Sequence, residues 1–314
     1  MSGQPVLTRT PGAAVGVSSA PGTFGELIQG VLPDGADFLV TLPVGHWATA
    51  TFVAEPDRPG IVVRPAHKEK ALRVARDLFN TAGYAGGGRL WVDSCIPEGK
   101  GMASSSADLV ATARAVGNAL DLPMTAQSIE DHLRRVEPTD GVMYPGLVAF
   151  HHRRVSLLAR LGDVPPLTVV ALDEGGVVDS VRFNRRPKPF TGAQREEYAH
   201  LLQEVTVAVA RGDLDTLGRA ATRSGALNQA LQPKRTFAAL CDGARRIGAL
   251  GVVVAHSGTV AGLLLADDDP RYPRRRAQAV ALCRELAGNA SVYHVLSGTQ
   301  VPRTEGQTLC ATRM

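Results

Sequence analysis

At 314 residues and 44% hydrophobic content, the chain is long enough for one large core or two moderate ones. Its net charge of +4 rests mostly on scattered arginines, and only 5% of residues are aromatic, so the basic stripe with stacking platforms that a nucleic-acid binder needs is missing. No apolar run approaches the ~18 residues of a membrane span or forms a secretory leader, and Cys95, Cys241, Cys283 and Cys310 show no paired spacing, so a reduced cytoplasmic setting without membrane, zinc or disulfide framework is expected.

Residues 1–16 read as a flexible lead-in. Val15 to Ala20 reads as a short strand stopped by Pro21-Gly22. "DFLVTLPVGHWATATFVA" is β-rich with Gly45 as an interruption, and "IVVRP" is another short strand. Lys68 to Ala82 has helical periodicity, with Leu72, Ala75 and Phe79 on one face and Gly83 as a stop. "GGGRLWVDSCIP" is a glycine-led strand. Ala107 to Leu120 is a strong, buried helix, and Ser128 to Val136 a second one, ended by Pro138. After Pro165-Pro166 the pattern restarts with the buried strand "LTVVALDEGG". Three helices follow: Gln194 to Ala210, Leu214 to Ala230 and Thr236 to Ala249. "GVVVAHSG" and "VAGLLLA" are strands around a Ser-Gly turn, Arg271 to Leu286 is helical, and "ASVYHVL" is a closing strand. This order predicts an α+β fold, an antiparallel sheet covered by helices.

The stretch "PEGKGMASSSADL", Pro97 to Leu109, stands where a strand ends and a helix starts. Such a junction points backbone N–H groups and the positive end of the helix dipole at one spot, a natural phosphate cradle. Gly99 and Gly101 leave room for a phosphate. Ser104, Ser105 and Ser106 offer hydroxyls to phosphate oxygens or to Mg²⁺. The spacing is neither a Walker A loop, since Lys100 sits between glycines, nor a Rossmann fingerprint. The plainer alternative is a serine cap on a core helix, which one serine would satisfy.

These residues resemble the phosphate loop of the GHMP kinases, in which a Pro-x-Gly-x-Gly-Leu/Met-x-Ser-Ser-x-Ala stretch wraps the ATP phosphates. "APGTFGELIQG", Ala20 to Gly30, resembles that family's first motif, and "AHSGTVAGLLL", Ala255 to Leu265, its third. The resemblance implies the GHMP fold: a ribosomal-S5-like N-terminal domain over residues 1–160 and a ferredoxin-like C-terminal domain over 161–314. It implies ATP and Mg²⁺, with Pro97, Gly99, Lys100, Gly101, Met102, Ala103, Ser104, Ser105 and Ser106 around the nucleotide and Ser105 on the metal. "GELIQG", "SSSAD" and "EPTDG" together are similar to the bacterial L-threonine kinase branch, which makes O-phospho-L-threonine for the aminopropanol arm of cobalamin. Two departures stand out. Many members carry lysine where this chain has Thr23, and the first motif is shorter than in mevalonate kinase.

In "VEPTDGVMYPG", Glu137 and Asp140 sit three apart around Pro138. On its own this reads as a solvent-exposed turn. Beside the phosphate loop, the resemblance assigns Glu137 to the Mg²⁺ site with Ser105, and Asp140 to the acceptor hydroxyl as base or orienter. Glu130, ten residues before Asp140, reads as a solvent-facing helix residue. A zwitterionic acceptor needs further partners, and Glu26 is the candidate for its ammonium group. Tyr144 suits pocket or core, Asp108 the helix dipole, and His256 the support of its turn. The pair His151-His152 reads as surface, and nothing aims Arg223 or Arg235 at the site. The expected partners are therefore ATP and a small hydroxy amino acid. The alternatives are another small alcohol such as L-serine or homoserine, or a nucleotide-binding regulator without turnover.

Overall fold

The computed structural model of the protein describes residues 14–297. The residue range 1–13, Cys310 and the tail from Gly298 lie outside the described residues. The strands are β1 (Val15–Val31), β2 (Asp37–Glu55), β3 (Gly60–Arg64), β4 (Gly87–Ser94), β5 (Leu147–His151), β6 (Ser156–Gly162), β7 (Leu167–Asp173), β8 (Gly251–Val254), β9 (Val260–Ala266) and β10 (Ser291–His294). The helices are α1 (Glu69–Ala82), α2 (Ser104–Leu120), α3 (Ala126–Leu133), α4 (Ser180–Asn184), α5 (Gly192–Arg211), α6 (Leu214–Asn228), α7 (Phe237–Ile247) and α8 (Tyr272–Ala287).

The strands join in one mixed sheet of order β10-β7-β9-β8-β1-β2-β4-β3, with the β5–β6 hairpin attached to β2. Most pairs are antiparallel, and β3–β4 is parallel. The α+β expectation holds. Apolar alternation explains the layers. On β7, Val169 and Ala171 face the main core, while Val170 and Leu172 join a second core with Leu240, Ala279 and Leu282 of α7 and α8. A strand covered on both faces reads as a continuous apolar run, which is why "LTVVAL" was legible. Helix α2 is buried along 14 of its 17 residues, because its alanines, with Gly16 of β1 against Ala115 and Ala119, let it lie close to the sheet. In α1 the buried stripe is Ala71, Val74, Ala75, Leu78 and Phe79, so Leu72 sits at its edge.

Several expectations are corrected. Val15 and Gly16 belong to β1 and not to a loose lead-in. Strand β1 does not stop at Pro21-Gly22 but runs on to Val31, with register shifts after Pro21, Thr23 and Glu26. A proline at an irregularity leaves no ladder donor missing, and bulges of this kind bend a strand and re-aim its side chains. Gly45 likewise falls at the β1–β2 register shift without ending β2. The β5–β6 hairpin and α4 carried no predicted element. Residue 160 falls within β6, and the elements break between Gly162 and Leu167. Beyond that break the sheet is continuous. Glu26 pairs with Val254, the seam where β1 meets β8.

Candidate active site

The loop between β4 and α2 holds left-handed residues at alternate positions: Gly99 (φ 69°), Gly101 (φ 81°) and Ala103 (φ 57°). Backbone of this kind gathers N–H groups into an anion-binding concavity. Ala103 does so with a side chain, at a cost of about 1–2 kcal/mol. The glycines have a different reason than phosphate clearance. A Cβ on Gly101 would lie 2.5 Å from Ala255 Cβ and 2.8 Å from Gly258 Cα, and one on Gly99 would meet Val177 at 2.7 Å. Gly101 lets the loop interlock with the third motif, where Thr259 N–H donates to the Lys100 carbonyl at 3.0 Å, and Gly99 lets it close on the segment after β7, where Val178 N–H donates to the Gly99 carbonyl at 3.0 Å.

The serine-cap alternative fails here. The N-cap of α2 is Ala103, and no side chain caps the helix. Ser105 Oγ donates to Glu137, and Ser106 Oγ donates to Asp140 Oδ2 at 3.0 Å while accepting the Asp140 N–H at 3.0 Å. Ser104 Oγ is buried without a partner. The helix start is left open to a cleft of about 380 Å³. Its lining includes Pro97, Gly99, Gly101, Met102, Ala103 and the three serines from the loop, with Glu137 and Asp140 opposite. The "EPTDG" segment is thus no exposed turn. Glu137 is buried, and Thr139 N–H donates to the His152 carbonyl at 3.0 Å.

Burial, with Glu137 nearby, pushes the Asp140 carboxyl up to about 6, although the Ser106 bond works the other way. Glu26 also reaches the cleft, with Oε2 buried and unpartnered. Burial and the neighbouring Asp140 raise it well above the usual carboxylate range. Ser105 Oγ and Glu137 are hard oxygen donors side by side. Lys70 Nζ lies 2.5 Å from Glu137 Oε2, so this carboxylate already holds a cation. Among the described residues no group of three or more His, Cys, Asp or Glu could enclose a metal. Mg²⁺ fits such a sparse set, because it takes one or two carboxylates and completes its shell with phosphate oxygens and water.

The structure also adds residues that the sequence reading missed. Lys68 Nζ bridges Asp108 and Glu98, each at 2.6 Å, at the rim of the cleft. Burial alone would lower Lys68, but its two carboxylates overrule it and raise the ammonium. For Asp108 burial prevails over Lys68, and the carboxyl is raised. Asp108 is therefore an ion-pair partner rather than a mere dipole residue. His152, Asn184 and His256 line the deep end of the cleft. Lys234, pushed down to about 8 by burial, donates to the Gly258 carbonyl at 2.7 Å and braces the third motif. Lysines before a helix and a His-His-Arg-Arg run carry no local signal of burial, so only the fold reveals them.

Other predicted positions move. Lys100 does not turn into the cleft; its ammonium binds Asp173 at 2.6 Å and the Gly176 carbonyl at 2.7 Å. Glu130 is buried, not solvent-facing, and accepts from Tyr144 Oη at 2.7 Å and Leu157 N–H at 2.8 Å. Tyr144 is accordingly core rather than pocket. His152 is buried at 2% exposure, against the surface reading. Arg223 pairs with Glu197, and Arg235 binds the Glu174 carbonyl. Thr23 is buried, its N–H donating to the Met102 carbonyl at 3.1 Å.

Two family descriptions match the chain: GHMP kinases N terminal domain over residues 69–145, and GHMP kinases C terminal over 205–283. An L-threonine kinase of Salmonella typhimurium is 31% identical over 289 residues, covering 91% of this chain and 94% of that protein. The chain belongs to the GHMP kinases. Another member, an L-threonine kinase of Citrobacter freundii, is 32% identical over 79% of this chain and 86% of that protein. The GHMP fold is shared with homoserine kinase from Cytophaga hutchinsonii, at TM-score 0.69 and 15% identity over 96% of this chain and 98% of that one. A mevalonate kinase of L. major, solved with R-mevalonate, superposes at TM-score 0.65 and 18% identity, covering 95% and 99%. Among the described residues, no helix is long and apolar enough to cross a membrane.

Proposed function

We propose that this GHMP kinase transfers the γ-phosphoryl group of ATP to the side-chain hydroxyl of L-threonine, giving O-phospho-L-threonine and ADP. The observation that carries the reading is the uncapped, serine-led start of α2, open to a cleft that also receives Glu137 and Asp140. The acceptor is taken from the relatives named for L-threonine, whose length this chain covers almost throughout.

Phosphoryl transfer is mostly positioning and charge stabilisation. The loop amides and the α2 N-terminus cradle the phosphates. Ser105 and Glu137 are the residues that would hold Mg²⁺, which when bound neutralises phosphate charge. Lys70, which pairs with Glu137 and lines the cleft, would supply a further positive charge there for a polyanionic ligand. Asp140 has Oδ2 engaged by Ser106, which leaves Oδ1 for the acceptor hydroxyl. A carboxylate titrating at about 6 is an effective base at neutral pH and is still mostly ionised there. The bond from the threonine oxygen to phosphorus forms, the bond to the ADP oxygen breaks, and the proton passes to Asp140. The same proposal divides the chain into two α+β units near residue 160 and places it in the cytoplasm, where ATP is available.

Phosphate-transfer assays across L-threonine, L-serine, homoserine and their D-isomers, with the product identified by mass, test the reading. L-threonine is expected to give the highest kcat/KM. ATP binding without ADP release over the panel would make the chain a regulator instead.

A further inference from the structure

The deep end of the cleft contains polar atoms that the phosphate chemistry does not use. His152 and His256 are 2% and 6% exposed, and both line the cleft with Asn184. The ring nitrogens of His152 and Nδ1 of His256 make no hydrogen bond of ordinary geometry among the described residues; the Asn184 side chain stands beside His152 and influences its ring, with an Oδ1 that can only accept. A structural histidine packed against aromatic rings, as His256 is against Phe183, normally has its nitrogens satisfied. Several orphaned atoms in one corner indicate a missing ligand.

The sign of that ligand follows from the surroundings. Lys188 Nζ, on a side chain only 7% exposed, lies 3.3 Å from His256 Nε2. An ammonium has only protons to give, so Nε2 accepts and the neutral ring carries its proton on Nδ1. Nδ1 is the orphaned atom, and it is therefore an unpaired donor. The counter-charge of Lys188 is incomplete. Asp37 is 3.7 Å away through Oδ1, while its Oδ2 is taken by Arg153 at 2.9 Å. Two cations thus share one carboxylate, which leaves about one positive charge behind two histidines that burial keeps neutral. An anion with hydrogen-bond acceptors on both sides meets this demand.

The opposite side of the same end is acidic. Glu26 Oε2 is buried and orphaned, and Glu26 pairs with Val254, two residues before His256, so the acidic and basic corners are neighbours across the β1–β8 seam. Asp140 is tied to the basic corner through the Thr139 N–H bond to the His152 carbonyl. We propose that His152 and His256, with Lys188 behind them and Asn184 beside the His152 ring, bind the carboxylate of an α-amino acid acceptor, and that Glu26 binds its ammonium group. The proposal rests on the reading of the chain as a hydroxy amino acid kinase and deepens it. Three points fix the acceptor: carboxylate, ammonium, and the hydroxyl at Asp140. Three points are what chiral selection requires. Lys188 does not line the cleft and is a positioning residue that polarises His256.

The test compares kcat/KM for L-threonine, for (R)-1-aminopropan-2-ol, which lacks the carboxylate, and for (R)-3-hydroxybutyrate, which lacks the ammonium group. The wild type is expected to favour L-threonine over each by at least ~100-fold, since each analogue leaves charged or polar groups unpaired. His152→Leu and Lys188→Met are expected to lower the preference for L-threonine over the amino alcohol at least tenfold, through KM for L-threonine, with KM for ATP held. Asn184→Asp, at a less buried position, sets a carboxylate against the substrate carboxylate and lowers the same ratio. Glu26→Gln lowers the preference over the hydroxy acid instead. Unchanged ratios in all four variants overturn the assignment while leaving L-threonine as substrate. A wild type that phosphorylates none of the three compounds removes the L-threonine reading and this assignment together. A variant that loses ATP affinity is replaced in the argument by Asn184→Asp, whose ratio decides alone.

Discussion

Asp140→Asn is expected to cost activity and increase stability, and the two effects have one cause. In the folded chain the Asp140 carboxyl is raised from 3.8 to about 6, chiefly by burial and further by Glu137. A raised acid favours the protonated form on folding. The stability it contributes is full below its unfolded value near 4 and is lost as pH rises through about 6. A rise of roughly two units corresponds to ~3 kcal/mol of destabilisation at pH 8. The side chain is not fully shut off from the cleft, and water there reduces this to about 1–2 kcal/mol. An asparagine keeps an oxygen to accept from Ser106 Oγ and has no charge to bury. The Asp140→Asn variant should therefore unfold at higher urea than wild type at pH 8, and the gap should narrow by roughly half at pH 5. Its kcat should fall about 10²–10⁴-fold, and wild-type kcat/KM should drop about tenfold per pH unit below 6. Equal or lower stability at pH 8, or a near-normal rate, would refute the placement of Asp140 as a buried, charged base.

Ser105→Ala should lower kcat about 10–100-fold and raise the Mg²⁺ concentration for half-maximal rate, because one oxygen donor of the proposed metal site is lost; an unaltered Mg²⁺ titration removes Ser105 from that site. Gly101→Val forces a branched side chain into a left-handed position against Ala255 and Gly258. It should cost about 3 kcal/mol of stability, read as a fall in Tm, and a Tm equal to wild type would show that the two loops do not interlock as described. Lys68→Met leaves Asp108, at 6% side-chain exposure, without its cation and should destabilise by about 3 kcal/mol. Adding Asp108→Asn should recover most of that loss, since burial already disfavours the charged carboxyl; a double variant no more stable than the single one contradicts the pairing.

The sequence by itself determined the features that are local. The periodicities of α1, α5 and α6, the continuous apolar run of β7, and the glycine-serine junction before α2 are each written in a few adjacent residues, and the structure places them within a few positions. The family motifs belong to the same class, because their function depends on backbone shape at one turn. Only tertiary structure decided which polar residues are inside. Glu130 and His152 are of types that are costly to bury, so a chain read alone assigns them to water. They are inside because Tyr144, the Leu157 amide and the cleft itself supply or await their partners. Strand β1 continues through Pro21-Gly22 because β2 pairs with it on both sides of the irregularity, and that pairing is absent from the local sequence. The hairpin from β5 to β6 was hidden by its charged turn. A partner distant along the chain sets the free energy of a buried charge, so burial of charge becomes visible only when the fold brings that partner near.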